Sequence, residues 1–345
     1  MSQFIQLHCL TAYPPSNLNR DDLGRPKTAI VGGFERLRVS SQSLKRAWRT
    51  SPVFDSALSE WKGKRTKLLG KEVYKRLSDQ GVNEKQAEKW ASEIASRFGK
   101  PKKENPLEIE QLCHISPQEW EDVMTLADTL ATEGREPNKE ELKLLRSDIK
   151  AVDIALFGRM LASEPACNIE AAVQVAHAIT VNAVKIDDDF FTAVDDLNRH
   201  EEDAGAAHMG DAGFGSGVFY LYICINKTQL IDNLQGDKEL ANKTLAALVE
   251  SVAKVAPTGK QNSFASRAYT SYMLAESGSQ QPRTLSVAFF KPVNGNDHLS
   301  IAIKQLEAQR DNFDRVYGDC ADKSSVMNVQ SGEGSLSDII RFVQE

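Results

Sequence analysis

The sequence predicts an α+β fold. Stretches with period-two apolar alternation take turns with stretches of helical spacing along the chain. A highly charged segment, residues 50–149, interrupts that order with a composition of its own. Residues 218–225, Val-Phe-Tyr-Leu-Tyr-Ile-Cys-Ile, are the clearest strand, rich in β-branched and aromatic side chains.

The first strand is expected over residues 3–11, with Ile5, Leu7 and Cys9 on one face. Residues 13–34 read as loop, because Pro14-Pro15, Gly24, Pro26 and Gly32-Gly33 interrupt any regular element. A helix then starts at Ser40, whose hydroxyl can cap its free N–H groups. Leu44 and Trp48, four apart, give it an apolar face, and Lys45 and Arg49 a basic one.

Residues 55–149 read as helical, with spacing clearest at 85–98 and at 139–149, the latter capped by Asn138. Lys-Pro-Lys-Lys-Glu-Asn-Pro at 100–106 breaks this region, which is expected to be an insertion into a smaller core. Residues 152–160 are expected to return as a strand. Residues 169–179 follow as an amphipathic helix, with Ala172, Val175, Ala176 and Ile179 on one side. Acids and four glycines (Gly205, Gly210, Gly213, Gly215) make 185–216 a protruding loop or hairpin. Beyond 225 come a helix at 237–256, strands near 262–274 and 284–291, and helices near 296–316 and 335–344. A ferredoxin-like or RRM-like core with insertions satisfies this order, as do other α+β folds. No internal repeat is visible.

Composition narrows the function classes. Hydrophobic residues at 41% suffice for a sizeable core and argue against global disorder. No apolar run reaches the roughly 18 residues of a membrane helix, and the start lacks the basic region of a signal peptide, so a cytoplasmic protein with no membrane partner is expected. The five cysteines (Cys9, Cys113, Cys167, Cys224, Cys320) are scattered, which favours free thiols over disulfides or zinc. A net charge of −6 argues against nucleic acid, but its distribution argues the other way. Residues 20–49 carry eight basic side chains against three acidic ones, and 62–103 carry thirteen against five. Acids gather at Asp187-Asp188-Asp189, Asp195-Asp196 and Glu201-Glu202-Asp203. Such separation suits a protein that binds a polyanion and meets other subunits; solvated surface is the plainer alternative for each run.

The start of the Ser40 helix offers N–H groups, the neutral donors Ser40, Ser41 and Gln42, and the charges of Lys45 and Arg49 one turn on. That set suits phosphates, and equally an ordinary capped surface helix. The run Gly210 to Gly217 precedes a strand and fails the dinucleotide fingerprint; it faintly echoes the Gly-aromatic-Gly of RRM strands. Phe190-Phe191 and Met160 are either core residues or wedges between bases. His177, amid apolar neighbours, reads as a core histidine. No H-E-x-x-H, G-x-S-x-G, P-loop or metal-binding loop occurs, so no enzyme, metal or cofactor is expected. A metal-free ribonuclease using His8 or His208 stays open, though nothing singles either residue out.

Taken together, several segments make the chain resemble the backbone subunits of bacterial type I-E CRISPR Cascade complexes, the CasC-type family of the RAMP superfamily. They are the N-terminal strand, Leu18-Asn-Arg-Asp-Asp22, Gly32-Gly33, Arg38-Val-Ser-Ser-Gln-Ser-Leu-Lys-Arg46, Val152-Asp-Ile-Ala-Leu156 with Gly158-Arg-Met160, Ala176-His-Ala-Ile-Thr180, Phe191-Thr-Ala-Val-Asp-Asp-Leu197 and Ser216-Gly-Val-Phe-Tyr220. They span most of the chain in order, leaving out 50–149 and the last hundred residues.

The resemblance implies a modified RRM/ferredoxin-like palm (1–49 and 150–345), a helical fingers insertion (50–149) and a β-hairpin thumb near 185–216. It implies copies stacked in a helical filament along a CRISPR guide RNA (crRNA), each thumb reaching its neighbour, with other Cascade subunits and target DNA as further partners. Carried over, Arg20, Lys27, Ser40, Gln42, Lys45 and Arg49 would hold phosphates, Met160 would wedge between bases, and Phe191 and Thr192 would press a displaced nucleotide. Position 49 is Arg where the family is expected to have Lys. The basic residues 62–103, with Lys139, Lys143 and Arg146, are candidates for steering DNA. A CRISPR endoribonuclease of the same superfamily, or a general single-strand RNA-binding protein, are the alternatives.

Overall fold

The computed structural model describes residues 2–161, 164–193 and 208–345. Its elements in chain order are β1 (Phe4–Ser16), β2 (Thr28–Val31), β3 (Phe34–Val39), α1 (Ser41–Arg49), α2 (Pro52–Leu58), β4 (Lys64–Thr66), α3 (Leu69–Asp79), α4 (Glu84–Ala95), β5 (Cys113–Ile115) and α5 (Pro117–Glu133). After these come α6 (Val152–Phe157), β6 (Val173–Val175), β7 (Ala178–Thr180), β8 (Asp187–Ala193), β9 (His208–Asn226), α7 (Lys227–Asn233) and α8 (Lys238–Lys254). The last are α9 (Gln261–Phe264), β10 (Tyr272–Gly278), α10 (His298–Tyr317), β11 (Lys323–Asn328) and α11 (Leu336–Gln344).

One antiparallel sheet in the order β11-β10-β1-β9-β7-β3-β2 organises the chain, with β6 and β8 also paired to β9. Its faces follow the alternation of the strands. Ile5, Leu7 and Cys9 of β1, Phe219, Leu221, Ile223 and Ile225 of β9, and Leu37 and Val39 of β3 share one core with α1, α2, α8 and α11. Leu10, Tyr220, Tyr272 and Leu274 turn to the other face, where α10 and the 285–293 segment cover them. A separate core, from Leu69 to Leu144 with Leu161, holds α3, α4 and α5 together inside the 50–149 segment.

The helices expected at 237–256, 296–316 and 335–344 form at α8, α10 and α11, each capped by a side-chain oxygen (Asp237, Asp297, Ser335). Several expectations fail. Residues 13–34 are not simply loop: β1 runs on to Ser16, and β2 and β3 form a hairpin. Gly32 and Gly33, at φ 59° and 85°, supply its two-residue turn, a geometry that favours glycine. Within residues 152–160, Val152–Phe157 form helix α6 in place of the expected strand. Val152 to Leu156 are all buried, Asp153 included, and a wholly buried run has no exposed face to reveal its period.

The 169–179 segment is two short strands, β6 and β7, because both pair with β9 and the sheet outweighs local helical spacing. Residues 139–149 make no helix. Asn138 Oδ1 accepts from the N–H groups of Glu140 and Glu141, and the turn goes no further. Residues 284–291 hold a 3-10 turn, Ser286–Phe289, in place of a strand, and the strand near 262–274 begins only at Tyr272. Within 185–216, expected to be a protruding loop or hairpin, β8 and the first part of β9 pair antiparallel from Asp187↔Phe214 to Ala193↔His208. Val194 to Leu197 lie outside the described residues.

Candidate nucleic-acid interface

Helix α1 begins where Ser40 Oγ accepts from the Ser43 N–H at 3.3 Å, while the Ser40 N–H donates to Asn19 Oδ1 at 2.9 Å. Ser40 is buried, with its hydroxyl engaged in the cap. Leu44 and Trp48 turn into the core, so Gln42, Lys45, Arg46 and Arg49 lie on the faces left over. These four line a cleft of about 370 Å³. Its other walls are Arg65 and His114, directly opposite each other in the β4–β5 pair, Leu112, and Phe157 to Met160 at the end of α6.

The cleft is strongly cationic for a chain of net charge −6. Lys45 lies 5.6 Å from the centre of the Phe157 ring, and partial burial lowers its pKa. Arg46 and Arg65 have no ion pair among the described residues. Beneath the floor sits Asp153, fully buried. Its Oδ2 accepts from His114 Nε2 at 2.7 Å and Arg49 Nη1 at 3.3 Å, and its Oδ1 from the Gly63 N–H at 2.8 Å. Burial alone would push this carboxyl up; the His114 and Gly63 hydrogen bonds and the Arg49 charge hold it below its ordinary value.

Met160 stands on the rim, 87% exposed. The residue beside it is its opposite: Arg159 is buried and paired at 2.7 Å with the fully buried Glu119. Its guanidinium also donates to the carbonyls of His114, Arg146 and Cys167. An exposed apolar side chain thus projects from a rigid base.

The structure therefore brings Gln42, Lys45, Arg49 and Met160 together. Lys27 lines a small notch with Arg38, and Arg20 is exposed and bridged to Pro26. Arg38 Nη1 lies 2.9 Å from His177 Nδ1. His177 is exposed, which corrects its reading as a core histidine; the fall in its pKa comes from partial burial and the charges of Arg38 and Lys27. Phe191 and Thr192 sit on β8, opposite Gly210 and Met209, and Lys260 Nζ lies 6.0 Å from the Phe191 ring centre. The glycine run at 210–217 belongs to β9 itself; at Gly217 a side chain would press within 2.9 Å of Asn182.

Sequence reasoning did not single out Arg65, His114 or Asp153 as site residues. Arg65 and His114 are 49 positions apart and no local pattern joins them. The 62–103 surface is less basic than its composition. Lys62, Lys71, Arg76, Lys89, Lys100 and Lys102 each face a carboxylate, as do Lys143 and Arg146.

His8 is wholly buried between Tyr220 Oη (2.9 Å) and Glu276 (3.2 Å), and burial lowers its pKa. Of the thiols, Cys9, Cys113 and Cys224 are buried. No helix among the described residues is long and apolar enough to cross a membrane.

A family model described as CT1975-like protein matches residues 5–341. Solved structures share the fold, among them two matched over nearly the whole chain. One, described as "CRISPR RNA-guided surveillance complex, pre-nicking", has a TM-score of 0.84 and 28% identity, covering 99% of each chain. The other, described as "CRISPR RNA-guided surveillance complex", has a TM-score of 0.76 and 24% identity over 99% of each chain. No curated protein matches the chain.

Proposed function

The chain belongs to the CT1975-like family, and we propose that it is a backbone subunit of a CRISPR RNA-guided surveillance complex, binding the guide through its phosphates. The observation that carries this is the cleft: Lys45, Arg46, Arg49 and Arg65 gathered around one cavity, with Met160 on its rim. Its likeness to a surveillance-complex chain along its whole length supports the same reading.

In this reading, 1–49 and 150–345 are the palm, 50–149 the fingers and the β8–β9 hairpin the thumb. Arg20, Lys27, Gln42, Lys45 and Arg49 hold phosphates, Met160 separates neighbouring bases, and Phe191 and Thr192 press a displaced nucleotide. Ser40 contributes by shaping the start of α1. Copies of the chain repeat along the guide in the cytoplasm, beside other subunits of a Cascade-type (type I-E) assembly, and target DNA pairs with the exposed bases.

Backbone contacts position a strand without reading it, so any spacer sequence is accepted. A guide ordered in advance loses less entropy on pairing, and sequence choice belongs to base pairing. The role is non-catalytic. The burial of His8 supports this, since a base shut inside the sheet cannot reach an RNA hydroxyl.

Purifying the tagged chain from cells that express its genomic neighbours, then sequencing the bound RNA, tests the reading. Short RNAs of one length class, each a spacer flanked by repeat fragments, with several copies of this chain per RNA, are expected. An intact preparation without RNA, or single chains on unrelated RNA, would overturn it.

A further inference from the structure

We propose that Asp153 is a positioning residue for the guide: its buried carboxylate aims Arg49 and His114 into the cleft. The inference rests on the guide-binding reading above.

The Asp153 side chain is wholly shut from solvent, whereas those of Arg49 and His114 keep 15% and 11% of their surface. No ligand in the cleft can meet Asp153, so it acts only through its partners. Those partners come from three separate stretches: Arg49 ends α1, Gly63 precedes β4, and His114 lies in β5. Asp153 itself sits in the first turn of α6. One carboxylate thus ties the helix carrying Lys45 and Arg46 to the opposite wall carrying Arg65.

The geometry leaves both partners usable. Only Nη1 of Arg49 is bonded to Asp153, so other N–H groups of the guanidinium remain for a phosphate. His114 gives Nε2 to the carboxylate, which fixes its ring against the β4–β5 wall. Freed of Asp153, the Arg49 side chain would sample many rotamers and hold a phosphate only at greater entropic cost.

A bare charge effect predicts the reverse sign. If Asp153 merely repelled the polyanion, or drew Arg49 away from it, neutralising it would tighten binding.

The test uses the purified full chain, a fluorescein-labelled single-stranded RNA of guide length, and affinity measured across a salt series. Asp153→Asn keeps the shape and removes the charge. Weaker binding is expected, with the slope of log K against log salt reduced by about 0.7 for each phosphate no longer held. In an Arg49→Ala/His114→Ala background the same substitution should change nothing further. Asp153→Glu serves should Asp153→Asn fail to fold. It keeps the charge but moves the carboxylate, so positioning predicts loss and a charge effect predicts wild-type binding.

Tighter binding by Asp153→Asn, or wild-type binding by Asp153→Glu, overturns the inference. If Lys45→Ala flattens the salt slope while Asp153→Asn does not, the inference fails and the guide-binding reading stands. If the wild-type chain binds no RNA, both fall.

Discussion

Replacing Glu119 with alanine should destabilise the protein severely and specifically. Glu119 is fully buried and accepts from Arg159 Nη1 at 2.7 Å, from the Arg146 N–H at 2.9 Å and from the Ser116 N–H at 2.9 Å. Ser116 caps α5, with Glu119 closing the reciprocal capping box. In Glu119→Ala the Arg159 guanidinium stays buried against three carbonyls with no counter-charge. Breaking one side of a buried ion pair costs about 3–5 kcal/mol. Loss of the cap draws on the same hydrogen bonds, so it does not add in full.

Urea unfolding followed by tryptophan fluorescence, with Trp120 next to Glu119 and Trp90 in the core that α5 shares, gives the cost as a fall in midpoint at unchanged slope. The companion Glu119→Leu/Arg159→Met should recover much of the loss, because a well-packed apolar pair replaces a buried ionic one at little cost. A loss below about 1 kcal/mol in Glu119→Ala would refute the assignment of Glu119 as the counter-charge of Arg159.

Met160→Ala should change stability by no more than about 0.5 kcal/mol, given its exposure. Nuclease footprinting of the bound guide should nonetheless lose its regular pattern. Gly32→Ala should destabilise the β2–β3 hairpin, since φ is 59° there and a Cβ would collide with the Phe290 carbonyl; thermal unfolding reads the loss. Stability should also fall on acidification. The unfolded chain protonates His8 below about 6.5, whereas the folded chain resists, so the unfolded state binds the extra proton. Glu276 adds to the fall below about 4.5. Although burial opposes it, hydrogen bonds from His8 and Arg283 hold its pKa at about 2, so its contribution is lost as pH drops towards that value. His8→Gln should flatten the stability profile between about pH 7 and 5.

What is legible in the sequence is what is decided locally. The Ser40 cap, the Leu44/Trp48 face and the basic face are set within ten residues, and α1 forms as expected. The β1 alternation likewise sorts Ile5, Leu7 and Cys9 onto the helix-covered face. Failures come where burial or pairing overrides local pattern. Residues 152–156 are buried on every side, Asp153 among them, so no solvent face distinguishes helix from strand. Ile169 to Ile179 carries helical spacing, yet its backbone is claimed by β9. Gly32-Gly33 reads as an interruption, yet it is the turn of a hairpin. The candidate site divides in the same way. Gln42, Lys45 and Arg49 can be found on one helix, whereas Arg65, His114 and Asp153 converge only through the fold.

The central claim is that the chain grips a guide by its backbone through this cleft. It is tested most directly by measuring affinity against salt for two single-stranded RNAs of unrelated sequence, using the wild-type chain and Lys45→Ala/Arg49→Ala. Equal affinities for the two RNAs are predicted, with a slope about 1.4 smaller in the double variant because two phosphates are no longer held. A marked preference for one sequence, or an unchanged slope, would contradict the account.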